Sequence, residues 1–103
     1  MTSKQRAYLK SLAMKLDPIL NVGKESMTPG LTEAVNEALE ANELIKVGVL
    51  KNCMDDPKEL AVTIAERTGS DVVQVIGKKM VFYRPAKKKE DRKIVLPKAA
   101  NPQ

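Results

Sequence analysis

The stretch Gly23-Lys24-Glu25-Ser26 stands just ahead of Thr28-Pro29. That pair reads as a helix start, with threonine at the N-cap and proline at the first helical position. A loop running into a helix exposes backbone N–H groups, and a lysine beside them completes a place for an anion. The anion is not a nucleotide in a P-loop, because GxxxxGK[ST] is missing, and so is GxGxxG. On pattern alone the loop is equally an ordinary strand–helix connection, and Glu25 opposes an anion.

Other chemistry is thinly supplied. Asp55, Asp56 and Glu59 lie close together, but they sit at a second helix start, Asp56-Pro57-Lys58-Glu59. Capping and the helix dipole account for them there. Histidine is absent, which removes Ser–His and Cys–His nucleophile pairs and every histidine-based metal site. Cys53 is the one cysteine. No internal disulfide can form, a lone thiol fits a reducing compartment, and Cys53 reads as an apolar filler or a loop residue. The chain is therefore expected to be a non-enzyme with no metal or cofactor.

Charge carries more. Residues 1–24 hold five basic groups against one acid, residues 25–66 nine acids against three lysines, and residues 67–103 ten basic groups against three acids. Both ends are basic and the middle is acidic, so one face should suit a polyanion and another repel it. Lys4, Lys10 and Lys15 fall on the first segment, Lys24 on the loop, Lys78 and Lys79 at a hairpin tip, and Arg84 at that hairpin's far end. The run Lys87-Lys88-Lys89 follows. Rings are few: Phe82 reads as core, while Tyr83 points to the other strand face, where it could stack on a base. With so little stacking surface, backbone and shape recognition should outweigh base reading.

These residues need positioning elements. Leu9, Leu12, Ala13 and Leu16 recur at helical period, which predicts a helix over residues 3–16, capped by Thr2 or Ser3 and ended by Asp17-Pro18. Ile19 to Val22 reads as a buried strand, and Leu44 to Leu50 as another. Between them a helix begins at Thr28-Pro29, with Leu31, Ala34, Val35, Ala38 and Leu39 inward and Glu33, Glu37 and Glu40 outward. A third helix runs from Asp56-Pro57 to Gly69, whose lack of a side chain suits a left-handed stop. Strands from Asp71 to Ile76 and from Lys79 to Arg84 flank the two-residue turn Gly77-Lys78. The order is α-β-α-β-α-β-β, a single small α/β domain with a four-stranded mixed sheet packed with helices. It spans residues 1–85, followed by a basic, flexible tail over 86–103, with Ile94-Val95-Leu96 able to dock. No run nears the ~20 apolar residues of a membrane span and no apolar signal core opens the chain. A soluble, cytoplasmic protein is expected.

Together these segments resemble the YhbY-like proteins, the stand-alone bacterial form of the CRM (chloroplast RNA splicing and ribosome maturation) domain. The resemblance is carried by KQRAYLKSLAMKLDPILNVGK, GLTEAVNEALEANELIKV, ELAVTIAERTGSDVVQVIGKKMVFYRP and KIVLP, from about Ser3 to Pro97. It implies a fold similar to the C-terminal domain of bacterial translation initiation factor three, RNA binding, and association with precursors of the large ribosomal subunit. It also implies a GxxG loop that clamps an RNA backbone. That loop falls on Gly23-Lys24-Glu25-Ser26, where Ser26 replaces the second glycine.

The expected function is a non-catalytic, monomeric RNA-binding protein acting on ribosomal RNA in large-subunit assembly. Gly23, Lys24, Glu25 and Ser26 form the loop site, with Lys4, Lys10, Lys15, Lys78, Lys79 and Arg84 around it. Two rivals remain: a protein-interaction module whose acidic helices bind a basic ribosomal protein, and a small duplex-DNA binder.

Overall fold

The computed structural model describes residues 1–97. Its elements are α1 (Ser3–Ala13), β1 (Leu20–Val22), α2 (Pro29–Asn42), β2 (Leu44–Val49), α3 (Pro57–Thr68), β3 (Asp71–Ile76), β4 (Lys79–Tyr83) and a short 3-10 turn at Lys89–Asp91. The α-β-α-β-α-β-β order matches the one read from the sequence. Among the described residues no helix is long and apolar enough to cross a membrane.

Most boundaries have local causes. Thr2 caps α1 by accepting from Gln5 N, and the Gln5 side chain accepts from Thr2 N, a reciprocal capping box. Thr28 caps α2 ahead of Pro29. Gly69 ends α3 at φ +66. Two expectations shift. Helix α1 stops at Ala13 rather than Leu16, because its end tightens into bonds from Lys15 N to Leu12 O and from Leu16 N to Ala13 O. Asp56 holds the N-cap position of α3 but makes no side-chain cap bond.

The sheet runs β1-β2-β4-β3, with β1 parallel to β2 and both other pairings antiparallel. Alternation along each strand sends side chains to two different cores. Val22, Ile45, Val47, Val49, Met80 and Phe82 pack beneath Val35 and Leu39 of α2 and Leu60, Ala61 and Ile64 of α3. Leu44, Val73, Val81 and Tyr83 face the other way, against Leu9 and Ala13 of α1. The sheet is thus a middle layer, with α1 on one side and the acidic helix α2, together with the charge-balanced α3, on the other. Gly48 lets the chain leaving α1 cross the sheet closely: a Cβ there would strike the Asn21 side chain and sit 3.6 Å from Pro18 Cβ.

The segment read as a flexible tail is tied down over residues 86–97. Ala86 is fully buried. Ala86 N donates to Glu43 Oε2, while Lys93 N and Ile94 N donate to Glu43 Oε1, at 2.8, 2.6 and 2.8 Å. Ile94 and Leu96 pack against the α1 core, and Gln5 Nε2 donates to Pro97 O. Val95, expected to dock with them, is exposed. Residues 98–103, the rest of that expected tail, lie outside the described residues.

Candidate nucleic-acid interface

Strand register decides which basic residues meet. Val22, the last residue of β1, pairs with Val49 on β2. Val49 N in turn donates to Lys78 O at 2.7 Å. The loop after β1 and the tip of the β3–β4 hairpin therefore share one end of the sheet, about two strand spacings, or ~10 Å, apart. At the tip, Gly77 takes φ +54. Positive φ at the first turn position alone is the type II′ arrangement, and it leaves Lys78 exposed. Lys51, in the loop that follows β2, is exposed at the same end.

The loop closes as a turn, with Ser26 N donating to Gly23 O at 2.9 Å. Lys24 and Glu25 occupy its exposed tip. Asn21, Gly23, Lys24, Ser26 and Thr28 help to line a hollow of about 340 Å³ at the start of α2. Ser26 holds φ 55, the left-handed region that a glycine would take without penalty. Its hydroxyl donates to Asp55 Oδ2 in the loop before α3. Gly23 is different: its φ is not in that region. A Cβ there would meet only Asn52 Oδ1 and Leu50 Cδ1, both at an ordinary 3.7 Å. Neither backbone conformation nor packing requires glycine at position 23.

On the α1 side, strand alternation sends Lys46 and Lys79 to the same face as Val81 and Tyr83. With Gln74, Ile76 and Val81 they line a groove of about 230 Å³ that α1 leaves uncovered. Lys46 escaped the sequence reading, although period two shows it: it lies between Ile45 and Val47, which both point to the opposite core. The lysines of the first segment do not act as one row. Successive helical residues turn by ~100°, so Lys10 points ~120° away from Lys4. Lys15 lies in the turn after α1 rather than on the helix. Lys10 follows Arg6 on one flank, and Arg6 Nη1 donates to the β3 carbonyls of Val72 and Val73. Lys4 adjoins Gln5, whose amide reaches Pro97 O on the other flank. The structure places Lys24 and Lys78 at one end of the sheet and Lys46 and Lys79 in a groove on its α1 face, with Lys4 and Lys15 in neither group.

Arg84 leaves the group. It follows β4 at the opposite end of the sheet from Lys78, and its side chain is 12% exposed. Nη1 donates to Asn36 Oδ1 at 2.8 Å and to Thr68 O at 2.7 Å, and Nη2 to Asn36 O at 3.1 Å. Glu40 Oε1 lies 3.6 Å away. The guanidinium clamps α2 to the end of α3 and is not free for a phosphate. Lys87 and Lys88 stand at that same far end, beside Arg67 and Arg84. Tyr83 is buried under α1, so it offers no stacking face. Burial raises its phenol above the ordinary value, and the Glu43 carboxylate adds to that.

Glu43 is the other residue the sequence reading missed. It is fully buried, at φ 66. Burial opposes its charge, but the three N–H donors from Ala86, Ile94 and Lys93, with the Arg92 charge, outweigh it and hold the carboxyl below its ordinary value. Of the three outward glutamates on α2, Glu40 is occupied at home, accepting from Lys87 N at 2.9 Å as well as facing Arg84. Cys53 is buried, in keeping with an apolar filler. Among the described residues no cluster of His, Cys, Asp or Glu could hold a metal ion.

Comparison with known proteins agrees with this architecture. The family model described as the CRS1 / YhbY (CRM) domain matches residues 1–84. A Bacillus subtilis protein named "Probable RNA-binding protein YqeI" is 41% identical over 97 residues, covering 94% of this chain and 99% of its own. A Haemophilus influenzae protein named "RNA-binding protein" is 35% identical over 98 residues, covering 95% and 96%. The solution structure of the hypothetical protein SAV1595 from Staphylococcus aureus superposes with a TM-score of 0.76 at 45% identity, covering 94% of this chain and 99% of that one.

Proposed function

The chain belongs to the CRS1/YhbY (CRM) domain family, and from that premise we propose that it is a non-catalytic, cytoplasmic, monomeric protein that grips the backbone of ribosomal RNA during large-subunit assembly. The observation that carries the RNA part is the meeting of Lys24, Lys78, Lys79 and Lys46 around one end and one face of the sheet, with α2 and α3 and their glutamates on the other side. The names of the relatives favour RNA as the polyanion. Its ribosomal origin rests on the family resemblance.

Gly23 supports the same reading. Since the folded chain does not need glycine there, its bare Cα serves a close approach from outside, as a ribose-phosphate strand would make. Lys24 and the N–H groups at the start of α2 then face that strand. Glu25 sits at the tip as an opposing charge, which weakens the grip without preventing it. The rival reading, an acidic face that binds a basic ribosomal protein, draws on Glu33 and Glu37 alone within the α2 row, because Glu40 is engaged inside the fold.

The test is the salt dependence of RNA affinity. Each phosphate neutralised contributes ~0.7–0.9 to the slope of log affinity against log salt. Replacing Lys24 and Lys78 together with alanine should flatten the slope by about 1.4–1.8. An unchanged slope would remove both from the interface.

A further inference from the structure

The groove beside α1 has a composition that backbone gripping does not use. Its floor is Val81 and Ile76, the latter 62% exposed, with Gln74 as its one neutral polar side chain and Lys46 and Lys79 as its other walls. All five project from three adjacent strands toward the α1 side. Helix α1 covers Leu44, Val73, Val81 and Tyr83 but stops short of Gln74 and Ile76. An apolar floor, one amide able both to donate and to accept, and two ammonium groups at the edge are what an unpaired nucleobase with its flanking phosphates requires. The volume, about 230 Å³, falls below the ~300 Å³ at which pockets for drug-sized ligands begin, so it suits one ring system rather than a larger ligand.

We propose that this groove receives a single splayed-out base of single-stranded RNA, with its plane over the exposed Ile76, its edge at Gln74, and its neighbouring phosphates at Lys46 and Lys79. The inference rests on the RNA-binding reading and sharpens it: the protein takes unpaired strands in preference to duplexes, because a base held in a pair cannot turn into the groove. It needs no aromatic platform. Aliphatic side chains and lysine stems supply the apolar surface, which reconciles base contact with the burial of Phe82 and Tyr83.

The test uses the full chain and three probes of equal length: a mixed-sequence single-stranded RNA, the same strand annealed into a blunt duplex, and an abasic ribose-phosphate oligomer. The single strand should bind about fivefold tighter than the abasic oligomer, which corresponds to ~1 kcal/mol, and tighter than the duplex. The changes Ile76→Ser, at an exposed position, and Gln74→Ala, at a half-buried one, should each erase most of that margin while leaving affinity for the abasic oligomer unchanged. Equal binding of single strand and abasic oligomer overturns the groove and leaves backbone gripping standing. Failure to bind any of the three overturns both readings. Should the two substitutions weaken all probes alike, the groove is no base site.

Discussion

The Ser26 hydroxyl donates to the Asp55 carboxylate across two loops, and it does so from a left-handed backbone position. A non-glycine residue at such a φ costs ~1–2 kcal/mol, and the hydrogen bond returns ~1 kcal/mol of that. Ser26→Ala keeps the strain and loses the bond, so it should lower unfolding free energy by about 1 kcal/mol in urea titrations. Ser26→Gly loses both together and should stay within ~0.5 kcal/mol of the parent. Equal losses for the two variants would mean that the left-handed φ at position 26 costs nothing, and an unchanged Ser26→Ala would mean that the Asp55 contact contributes nothing.

Gly23→Ala separates folding from binding. A Cβ at this position finds only ordinary contacts, so thermal stability should hold within about half a kcal/mol of the parent, as for surface changes generally. RNA affinity should fall, because the added methyl stands between Cα and an approaching backbone. A roughly tenfold loss corresponds to about 1.4 kcal/mol. A variant that binds as the parent does would place the phosphate elsewhere.

Much of this architecture is legible because its causes are local. Thr28-Pro29, Asp56-Pro57 and Gly69 mark helix ends within a few residues of themselves, and period-two alternation assigns Ile45 and Val47 to one core and Leu44 to the other. What stays hidden acts across the chain. Glu43 interrupts the start of an apolar strand with no signal of its own, and the N–H groups that satisfy it lie 43 to 51 positions away. Arg84 reads as one more basic residue, yet its partners are Asn36, Glu40 and Thr68. The grouping of Lys24 with Lys78 depends on the β1–β2–β4 register, which composition cannot supply. In β3, the irregularity between Val72 and Gln74 shifts which residues oppose β4, and it decides that Gln74 and Ile76 share the groove.

Glu43 and Tyr83 give stability a pH dependence on both limbs. The folded Glu43 carboxyl lies below its unfolded value, which is about 4.3 for an unperturbed glutamate. Its contribution is therefore complete above that pH and is lost as pH falls through the folded value. Tyr83 is raised in the fold, so its contribution is complete below the unfolded phenol value near ~10 and is lost as pH rises through the folded one. Glu43→Gln removes the charge that three N–H groups address and should lower stability by roughly 3 kcal/mol at neutral pH. Denaturant midpoints between pH 3 and 7 (a window of about four units around the carboxylate range) should then vary less in the variant than in the parent.

Arg84 tests whether a basic residue belongs to the fold or to the ligand. Arg84→Met keeps the length of the stem and leaves the Asn36 side chain and the Thr68 carbonyl without the guanidinium that joins them. It should lower unfolding free energy by about 2–4 kcal/mol. At a temperature where the variant remains folded, the salt slope of its RNA affinity should equal the parent's. A flattened slope with unchanged stability would return Arg84 to the phosphate surface.

The lysines of the α1 side divide by flank, and this division can be measured. Lys46 and Lys79 rise from the uncovered part of the sheet, with Lys10 on the flank that Arg6 pins to β3. Lys4 lies beside Gln5, whose amide reaches Pro97 O, and Lys15 lies in the turn after α1. If the RNA path runs over the groove and the turn after β1, Lys46→Ala should weaken binding and reduce the salt slope by ~0.7–0.9. The pair Lys4→Ala with Lys15→Ala should lose less, through long-range attraction alone, which a Debye length of ~8 Å at physiological salt screens. Raising salt should therefore close the gap between the Lys4/Lys15 double variant and the parent while part of the Lys46 deficit persists. The reverse order would move the path to the outer surface of α1 and away from the groove.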